Sequence, residues 1–253
     1  MTKRNTQQRR RAIVDLLDQH GEVSVEKLAH QFATSEVTVR KDLTALESNG
    51  LLLRRYGGAV PLPQEMLAEP VSGKVSKRKK SLARTAAELI LDHNRIIIDS
   101  GSTTAALLPE LSRKQGLVVM TNSLNIANAL RELENEPTLL MTGGTWDPQS
   151  EGFQGQLAEQ VLRSYNFDQL FIGADGLDLE RGTTTFNELY SLSQVMAEVA
   201  REVIVMAESD KLGRKIHNLE LAWERVAYLV SDAGFPEEAR RHVESLGVKI
   251  LLS

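Results

Sequence analysis

Ser35-Glu36-Val37-Thr38-Val39-Arg40-Lys41-Asp42-Leu43, followed twelve residues beyond Asp42 by Arg54-Arg55-Tyr56-Gly57-Gly58, reads as a helix and then a tight hairpin. At about 100° per residue, Val39, Leu43 and Leu46 fall on one side and must face a core. Val37, Arg40, Lys41 and Thr44 lie on the other side with Thr38 at its edge, and Ser35 can cap the helix. Upstream, Ile13, Leu16, Leu17 and His20 repeat at helical spacing after Arg9-Arg10-Arg11, and Gly21 stops that helix. Ser24 can cap a second helix with an inner face of Val25, Leu28, Ala29 and Phe32. Asn49-Gly50 ends the third helix, and Leu51-Leu52-Leu53 opens a strand that turns near Tyr56-Gly57-Gly58. Three helices and a hairpin predict a winged helix-turn-helix over residues 1–60.

That third helix carries the side chains that read a major groove. Arg40 and Lys41 can bind phosphate or guanine, Ser35, Thr38 and Thr44 can hydrogen-bond, and Val37 can touch a thymine methyl. Val37 can equally be a scattered surface valine. Arg54 and Arg55 place two more cations on the wing, beside the DNA backbone. Asp42 reads as a structural partner for Arg40 or a neighbouring arginine.

Charge follows the same division. Residues 1–80 carry 15 Lys and Arg against 9 Asp and Glu, a net of +6, whereas residues 81–253 carry 15 against 25, a net of −10. A basic end attached to an acidic body suits one part facing phosphate and the other kept off it. The chain of 253 residues is comfortable for two domains, and its 42% hydrophobic content is that of an ordinary globular protein. The absence of cysteine removes disulfides, thiolate zinc sites and cysteine nucleophiles. No apolar run is long enough to span a bilayer and Met1 opens no signal-peptide pattern, so no membrane association and a cytoplasmic location are expected. No ligand cluster has zinc or EF-hand spacing, and neither a metal nor another cofactor is expected.

Pro61, Pro63, Pro70 and Gly73 mark a linker over residues 61–79. Lys74 and Lys77-Arg78-Lys79-Lys80 follow, either assisting DNA binding or forming a solvated helix start. The body, residues 80–253, opens with a helix over Lys80 to Leu91. Short β-branched or leucine-rich runs then occupy Arg95–Asp99, Leu117–Thr121, Thr138–Thr142, Gln169–Ala174, Val203–Ala207, Ala227–Ser231 and Val248–Leu252. Helical patterns at Thr104–Ser112, Ser123–Glu132, Gln156–Ser164 and Leu189–Glu202 separate several of them. Strands alternating with helices predict an α/β domain with a mostly parallel sheet covered on both faces.

Ligands of such sheets bind beyond the carboxyl ends of the strands. Asp99-Ser100-Gly101-Ser102-Thr103-Thr104 follows the first strand and opens a helix, where small residues and a helix start offer N–H groups to an anion or simply form a capping loop. Thr121-Asn122-Ser123 ends the second strand and Gly143-Gly144-Thr145 the third. Gly173-Ala174-Asp175-Gly176 ends the fourth, followed by Gly182-Thr183-Thr184-Thr185-Phe186-Asn187-Glu188, and Glu208-Ser209-Asp210-Lys211 ends the fifth.

Val23-Ser24-Val25-Glu26-Lys27-Leu28-Ala29, the Ser35–Leu43 helix, Leu46-Glu47-Ser48-Asn49-Gly50 and the Arg54-Arg55-Tyr56-Gly57-Gly58-Ala59 wing resemble the signature of the DeoR family of bacterial repressors in residue type and spacing. The body is similar to that family's effector domain, whose fold is shared with ribose-5-phosphate isomerase and glucosamine-6-phosphate deaminase. The resemblance spans residues 6–253 and implies an effector that is a phosphorylated sugar or sugar alcohol. It implies a first phosphate loop at Asp99, Gly101, Ser102 and Thr103, a second at Asn122 and Ser123, a turn at Gly143 and Gly144, an acidic loop at Asp175, and a ligand-facing cation at Lys211. Where the family commonly reads Asp-Ser-Ser-Lys, this chain has Glu208-Ser209-Asp210-Lys211, adding a carboxylate that can pair with Lys211 or discourage a phosphate oxygen. Within the family, Thr121-Asn122-Ser123-Leu124, Gly143-Gly144-Thr145 and Thr184-Thr185-Phe186-Asn187-Glu188 look most like the regulators of glucitol operons. Leu139–Gly144 and Leu177–Gly182 bring the aga-type amino-sugar repressors a near second.

The expected function is therefore a sequence-specific repressor, released from operator DNA by a phosphorylated sugar. It is expected to act as a dimer or tetramer reading half-sites about one helical turn, roughly 34 Å, apart or a multiple of that. Two alternatives stand beside it. One is a transcriptional activator. The other is a sugar-phosphate isomerase or deaminase with a DNA-binding appendix, using Asp99, Asp175 and Lys211 for proton transfer. The five histidines (His20, His30, His93, His217 and His242) lie outside the strand-end motifs, and a shared fold does not confer chemistry, so no enzymatic activity is expected.

Overall fold

A computed structural model of the chain describes residues 9–10, 12–14, 16–17, 21–47, 52–55, 57–61, 76–148, 150–187, 190–214, 216 and 218–253. His20, Asn49-Gly50, Leu51, Tyr56, the linker residues Pro63, Pro70, Gly73 and Lys74, Glu188 and His217 lie outside the described residues. The chain divides into two compact units, Met1–Pro70 and Val71–Ser253, each described here by itself.

In the first unit, residues 9–10, 12–14 and 16–17 are helical. Strand β1 (Val23–Ser24) leads into α1 (Val25–Gln31), whose cap is Ser24, with its hydroxyl accepting the Lys27 N–H at 3.2 Å. Helix α2 (Glu36–Glu47) follows, then the hairpin β2 (Leu53–Arg55) and β3 (Gly58–Val60). The alternation read from the sequence sets the packing. Ile13, Leu17, Val25, Leu28, Val39, Leu43, Leu46, Leu52 and Ala59 form one buried cluster.

The wing has a third strand that sequence periodicity does not announce. β3 pairs antiparallel with β2 and also with β1, joining Val23 to Ala59 and Ser24 to Gly58. Gly58 permits that close approach, because a Cβ there would stand 2.1 Å from the Val23 carbonyl oxygen.

The second unit is built on seven strands: β4 (Arg95–Ile98), β5 (Val118–Thr121), β6 (Thr138–Met141), β9 (Phe167–Ile172), β12 (Ala200–Met206), β14 (Tyr228–Ser231) and β15 (Lys249–Leu252). They form one sheet in the order β15-β14-β12-β9-β4-β5-β6, every pair parallel. All seven overlap the runs expected from sequence, β12 and β9 beginning earlier, at Ala200 and Phe167. Because successive side chains on a strand point to opposite faces, Ile96 and Ile98 enter one core and Ile97 the other. Helices α3 (Lys77–Ala87), α5 (Leu108–Leu111) and α6 (Leu124–Arg131) supply the first core with Leu82, Leu111 and Ile126. Helices α7 (Gln156–Arg163), α8 (Ser191–Val199) and α9 (Glu237–Ser245) supply the second with Leu162, Met196 and Val243.

Some expected elements differ. The helix expected over Lys80 to Leu91 runs from Lys77 to Ala87, with Ser76 accepting the Lys79 N–H at 3.2 Å as its cap. The Thr104–Ser112 pattern is split into α4 (Ser102–Ala105) and α5, the second starting around Pro109. The Leu189–Glu202 pattern gives way at Ala200, which pairs with Phe167 as β12 begins. Two small antiparallel units complete the domain: the hairpin β7 (Thr145–Asp147) with β8 (Gly152–Gln154), and the sheet β10 (Gly176–Asp178), β11 (Gly182–Thr185) and β13 (Asn218–Ala222).

Asp42 is 2% exposed on the inner side of α2 and accepts from the Arg9 Nε at 2.6 Å and the Arg10 Nε at 2.8 Å. It is thus the structural partner of two neighbouring arginines, while Arg40 pairs with Glu36 at 2.8 Å. Removing one member of a buried ion pair leaves uncompensated charge, and Asp42→Ala is expected to destabilise the first unit by about 3 kcal/mol. Both tryptophans, Trp146 and Trp223, lie in the second unit. The variant should therefore lose helical circular dichroism at a lower urea concentration while the tryptophan fluorescence transition stays in place. A joint shift of both signals would refute the assignment.

Candidate functional site

Helix α2 keeps its polar face outward. Ser35, Val37, Arg40, Lys41 and Thr44 are exposed and Thr38 is half-buried, while Val39 and Leu43 are fully buried. The Ser35 hydroxyl accepts the Thr38 N–H at 3.2 Å and lies 2.9 Å from the Thr38 hydroxyl, fixing the first turn. Thr44 donates to the Arg40 carbonyl at 2.8 Å and accepts from the Arg54 guanidinium at 2.8 Å, so helix and wing are tied through one hydroxyl. Arg55 pairs with Glu22. The structure thus gathers all eight residues read from sequence onto one helix and the adjoining hairpin. Val37 stands out among them, an aliphatic side chain 60% exposed on a polar face.

In the second unit, the strand order reverses between β4 and β9. The chain moves from β4 outward to β5 and β6, and after β9 outward the other way to β12, β14 and β15. A crevice at the carboxyl ends of such a switch point is where open α/β sheets take ligands. Asp99 follows β4 and Asp175 follows β9, while the Asp99 N–H donates to the Phe171 carbonyl at 3.0 Å across the two strands.

The expected loops meet here through direct bonds. The Asn122 amide donates to Asp99 at 3.0 Å and its carbonyl oxygen accepts the Ser100 N–H at 2.9 Å, joining the ends of β4 and β5. The β7–β8 hairpin comes against this junction, since a Cβ on Gly152 would stand 3.0 Å from the Ser100 hydroxyl and 3.1 Å from the Asn122 amide. Gly143 and Gly144 adopt φ of +62° and +111°, and a Cβ on Gly144 would stand 2.4 Å from the Gln154 carbonyl oxygen. Asp175 accepts from the Thr185 hydroxyl at 2.8 Å and the Phe186 N–H at 3.1 Å. The Lys211 ammonium, almost fully buried, donates to the Ala174 carbonyl at 2.6 Å.

Some expected contact residues have internal roles. Thr104 is fully buried, its hydroxyl placed to donate to the carbonyls of Asp99 at 2.8 Å and Gly101 at 2.9 Å, closing the turn before α4. Thr103 is buried as well, and Ser123 caps α6 by accepting the Ile126 N–H at 3.4 Å. Ser102 is half-buried and meets a partner that sequence reading did not assign. The buried Lys79 ammonium donates to its hydroxyl at 2.9 Å. Glu208 and the added carboxylate, Asp210, reach Arg78 at 3.5 Å and 3.8 Å, and Asp210 also reaches Arg214 at 3.6 Å. Lys79 was hidden inside a run that looked like a solvated cationic tract.

A second residue missed from sequence is Glu220, a carboxylate within the apolar run Leu219–Ala222 on β13. It is buried and accepts from the Ser193 hydroxyl at 2.8 Å and the Thr183 hydroxyl at 3.4 Å. Burial, then the nearby charges of Asp175 and Asp99, push its pKa up to about 8. Removal from water also pushes Asp99 up to about 6, against the opposing bonds from Ser100 and Asn122. Asp99, Asp175 and Glu220 therefore share one electrostatic environment, with two buried ammonium groups in the same domain. Among the described residues, no group of His, Cys, Asp or Glu is arranged to hold a metal ion.

A DeoR-like helix-turn-helix domain matches residues 9–65, and the DeoR C terminal sensor domain matches residues 74–233. The chain belongs to the DeoR family. This makes it a DNA-binding transcriptional regulator with a C-terminal sensor domain. It is 38% identical over 253 residues to a putative aga operon transcriptional repressor of Escherichia coli O157:H7, covering 98% of this chain and 94% of that one. It is 32% identical over 248 residues to the transcriptional regulator GlpR of Haloferax volcanii, covering 96% of each. Among solved structures, a ribose 5-phosphate isomerase from Methanocaldococcus jannaschii aligns over 54% of each chain with a TM-score of 0.40 and 19% identity. No helix among the described residues is long and apolar enough to cross a membrane.

The Glu220 acid has a consequence for stability. A carboxyl group whose pKa is higher folded than unfolded holds its proton more tightly in the native state. Its stabilising contribution is present at low pH and is lost as pH rises through the folded value. From the ordinary 4.5 to about 8, Glu220 is ionised in the unfolded chain but still protonated in the folded one, so rising pH should progressively destabilise the sensor domain. Glu220→Gln, which cannot ionise, should flatten the fall in melting temperature between about pH 5 and pH 8. An unchanged slope in that variant would refute the buried-acid assignment.

Proposed function

We propose that the protein is a repressor of a sugar or sugar-alcohol catabolic operon, released from its operator when a phosphorylated sugar occupies the β4–β9 switch point. The observation that carries this reading is the buried Lys79 ammonium on Ser102, at the loop joined through Asp99 and Asn122 to the next strand. A buried cation on a small hydroxyl residue, next to backbone N–H groups, offers charge-assisted hydrogen bonds to phosphate oxygens. Asp99 and Asp175 are placed to accept from sugar hydroxyls, and Lys211 is a second cation for an oxygen of the ligand. Of the two operon classes that the strand-end runs resemble, the Escherichia coli relative's name supports the aga type over glucitol.

On the DNA side, Ser35, Val37, Thr38, Arg40, Lys41 and Thr44 face the major groove while Arg54 and Arg55 hold the backbone, in a homo-oligomer that reads paired half-sites. Release requires that the effector bind better to the state in which paired DNA-binding domains are badly spaced, since equal affinity for both states shifts nothing.

Two measurements test this. Arg40→Ala and Lys41→Ala should weaken binding to a duplex selected from a random pool. The loss should be roughly 1–3 kcal/mol where a base is read, or come with a salt slope smaller by about one where a phosphate is held. Wild-type affinity in both variants at fixed salt would sink the groove assignment. For the sensor, a thermal-shift screen of sugar and sugar-alcohol phosphates, each beside its unphosphorylated form, is read together with release of the same duplex. A phosphorylated compound that raises the melting temperature and frees the DNA is the expected result. Stabilisation by the unphosphorylated forms alone would overturn the phosphate reading, and substantial turnover of any compound would overturn the non-enzymatic one.

A further inference from the structure

Arg78 stands one residue before Lys79 in the first turn of α3, yet its partners come from the opposite half of the sheet. Its guanidinium lies 2.9 Å from Asp232, 3.5 Å from Glu208 and 3.8 Å from Asp210, and donates to the Ser209 hydroxyl at 3.4 Å. Asp232 follows β14 and Glu208 follows β12. Asp232 is itself held by the Ser209 N–H at 2.8 Å, the Ser209 hydroxyl at 2.8 Å and the Gly234 N–H at 3.0 Å. These bonds and Arg78 hold its carboxyl far below the ordinary range, so it is a fixed anion at any working pH. Lys79, meanwhile, reaches Ser102 beyond β4. Two adjacent cations therefore tie one helical turn to the carboxyl ends of three strands.

We infer that Arg78 is the positioning residue of the effector site: clamped on Asp232 and Glu208, it fixes the first turn of α3 so that the Lys79 ammonium is held at the Ser102 loop. The inference rests on the proposed phosphate reading of that loop. Its physical basis is directional. A lysine stem has four rotatable bonds, so its charge is held at one point only if the backbone carrying it is fixed. The planar guanidinium supplies that fixation with several donors aimed at carboxylates already oriented by their own bonds. It also explains the departure at Glu208-Ser209-Asp210. Glu208 and Asp210 both lie within ion-pair distance of Arg78, so the carboxylate added to that loop belongs to the clamp as well as to the neighbourhood of Lys211.

The test uses the full-length protein and inorganic phosphate as the probe, with binding measured by calorimetry and apo stability by thermal unfolding. Lys79→Ala should abolish phosphate binding. Arg78→Ala should weaken it roughly tenfold, in the range of coupling seen within one hydrogen-bonded network, with the affinity loss persisting at temperatures where the variant is fully folded. Asp232→Asn should weaken it similarly, and the double variant should lose little more than either single one. Arg78→Lys keeps the charge but loses the fork, and should recover only part of the affinity. That variant and Asp232→Asn carry the test if Arg78→Ala does not fold. Full affinity in Arg78→Ala or Asp232→Asn, alongside lost binding in Lys79→Ala, would overturn the positioning role and leave the phosphate reading intact. Full recovery in Arg78→Lys would show that Arg78 acts through charge alone and would also overturn it. Wild-type affinity in Lys79→Ala, or no phosphate uptake by the wild type, would overturn the phosphate reading itself and the inference with it.

Discussion

Seven strands running the same way place seven carboxyl ends along a single edge, and the rest of the sensor domain follows from that constraint. Parallel strands need crossovers, the crossovers bury both faces of the sheet, and buried faces exclude polar groups. Ile96, Ile97 and Ile98 show the result on one strand, apolar toward both cores, with Asp99 the first polar residue beyond them. The same transition recurs at Met120-Thr121, at Ala174-Asp175 and at Ala207-Glu208. Reversal of strand order between β4 and β9 then leaves room at one point of that edge. Chemistry collects there because the remainder of the sheet has no place for it.

Collecting polar groups at a partly buried edge is costly unless each is paired. The protein meets this cost with short local bonds. Asn122 serves both Asp99 and the Ser100 N–H, Thr185 and the Phe186 N–H serve Asp175, and Ser193 and Thr183 serve Glu220. Hydroxyls supply much of the pairing, those of Thr183 and Thr185 on β11 among them. Glu208 and Asp232 are treated differently. They sit on the Arg78 side of the edge and share a guanidinium, which adds to the Ser209 and Gly234 bonds on Asp232.

Periodicity made the skeleton legible. All seven sheet strands and the core face of α2 could be read because burial on both faces gives unbroken apolar runs, and burial on one side of a helix gives a 3.6-residue repeat. The three-residue strands β7, β8 and β10 escaped because so short a segment has no period to detect. The Leu189–Glu202 pattern overran because Ala200 and Arg201 suit a helix as well as a strand, and only pairing with Phe167 decides between them. Candidate site residues could be picked out where loop chemistry is local, as at Asp99–Thr104 and Asn122, whose strand-end bonds join neighbouring loops. Lys79 and Arg78 were not, since their partners lie 23 residues and more than 130 residues away, and a cationic run looks the same whether its side chains reach water or a strand end. Glu220 was illegible for the converse reason: one acidic residue in a short apolar strand looks like a solvent-facing position until helix α8 packs on it and brings Ser193 to its carboxyl.

The acidic character of the edge bears on what it can accept. A phosphorylated effector, as proposed, brings negative charge toward Asp99, Asp175 and Glu220, and repulsion between like charges in a poorly solvated site is not small. Two features offset it. Lys79 and Lys211 present cations from opposite sides of the switch point, one beyond β4 and the other reaching back to Ala174 beyond β9. Glu220, with its pKa pushed up to about 8, is mostly neutral near pH 7 and adds a hydrogen-bonding group without a full charge. An approaching anion favours the protonated forms of Glu220 and Asp99 still further. On the proposed reading, effector charge and site charge are coupled through protons as well as through the two lysines. Asp99, its pKa already pushed up to about 6 by burial, is on that reading the carboxylate able to lose its charge when an anion arrives.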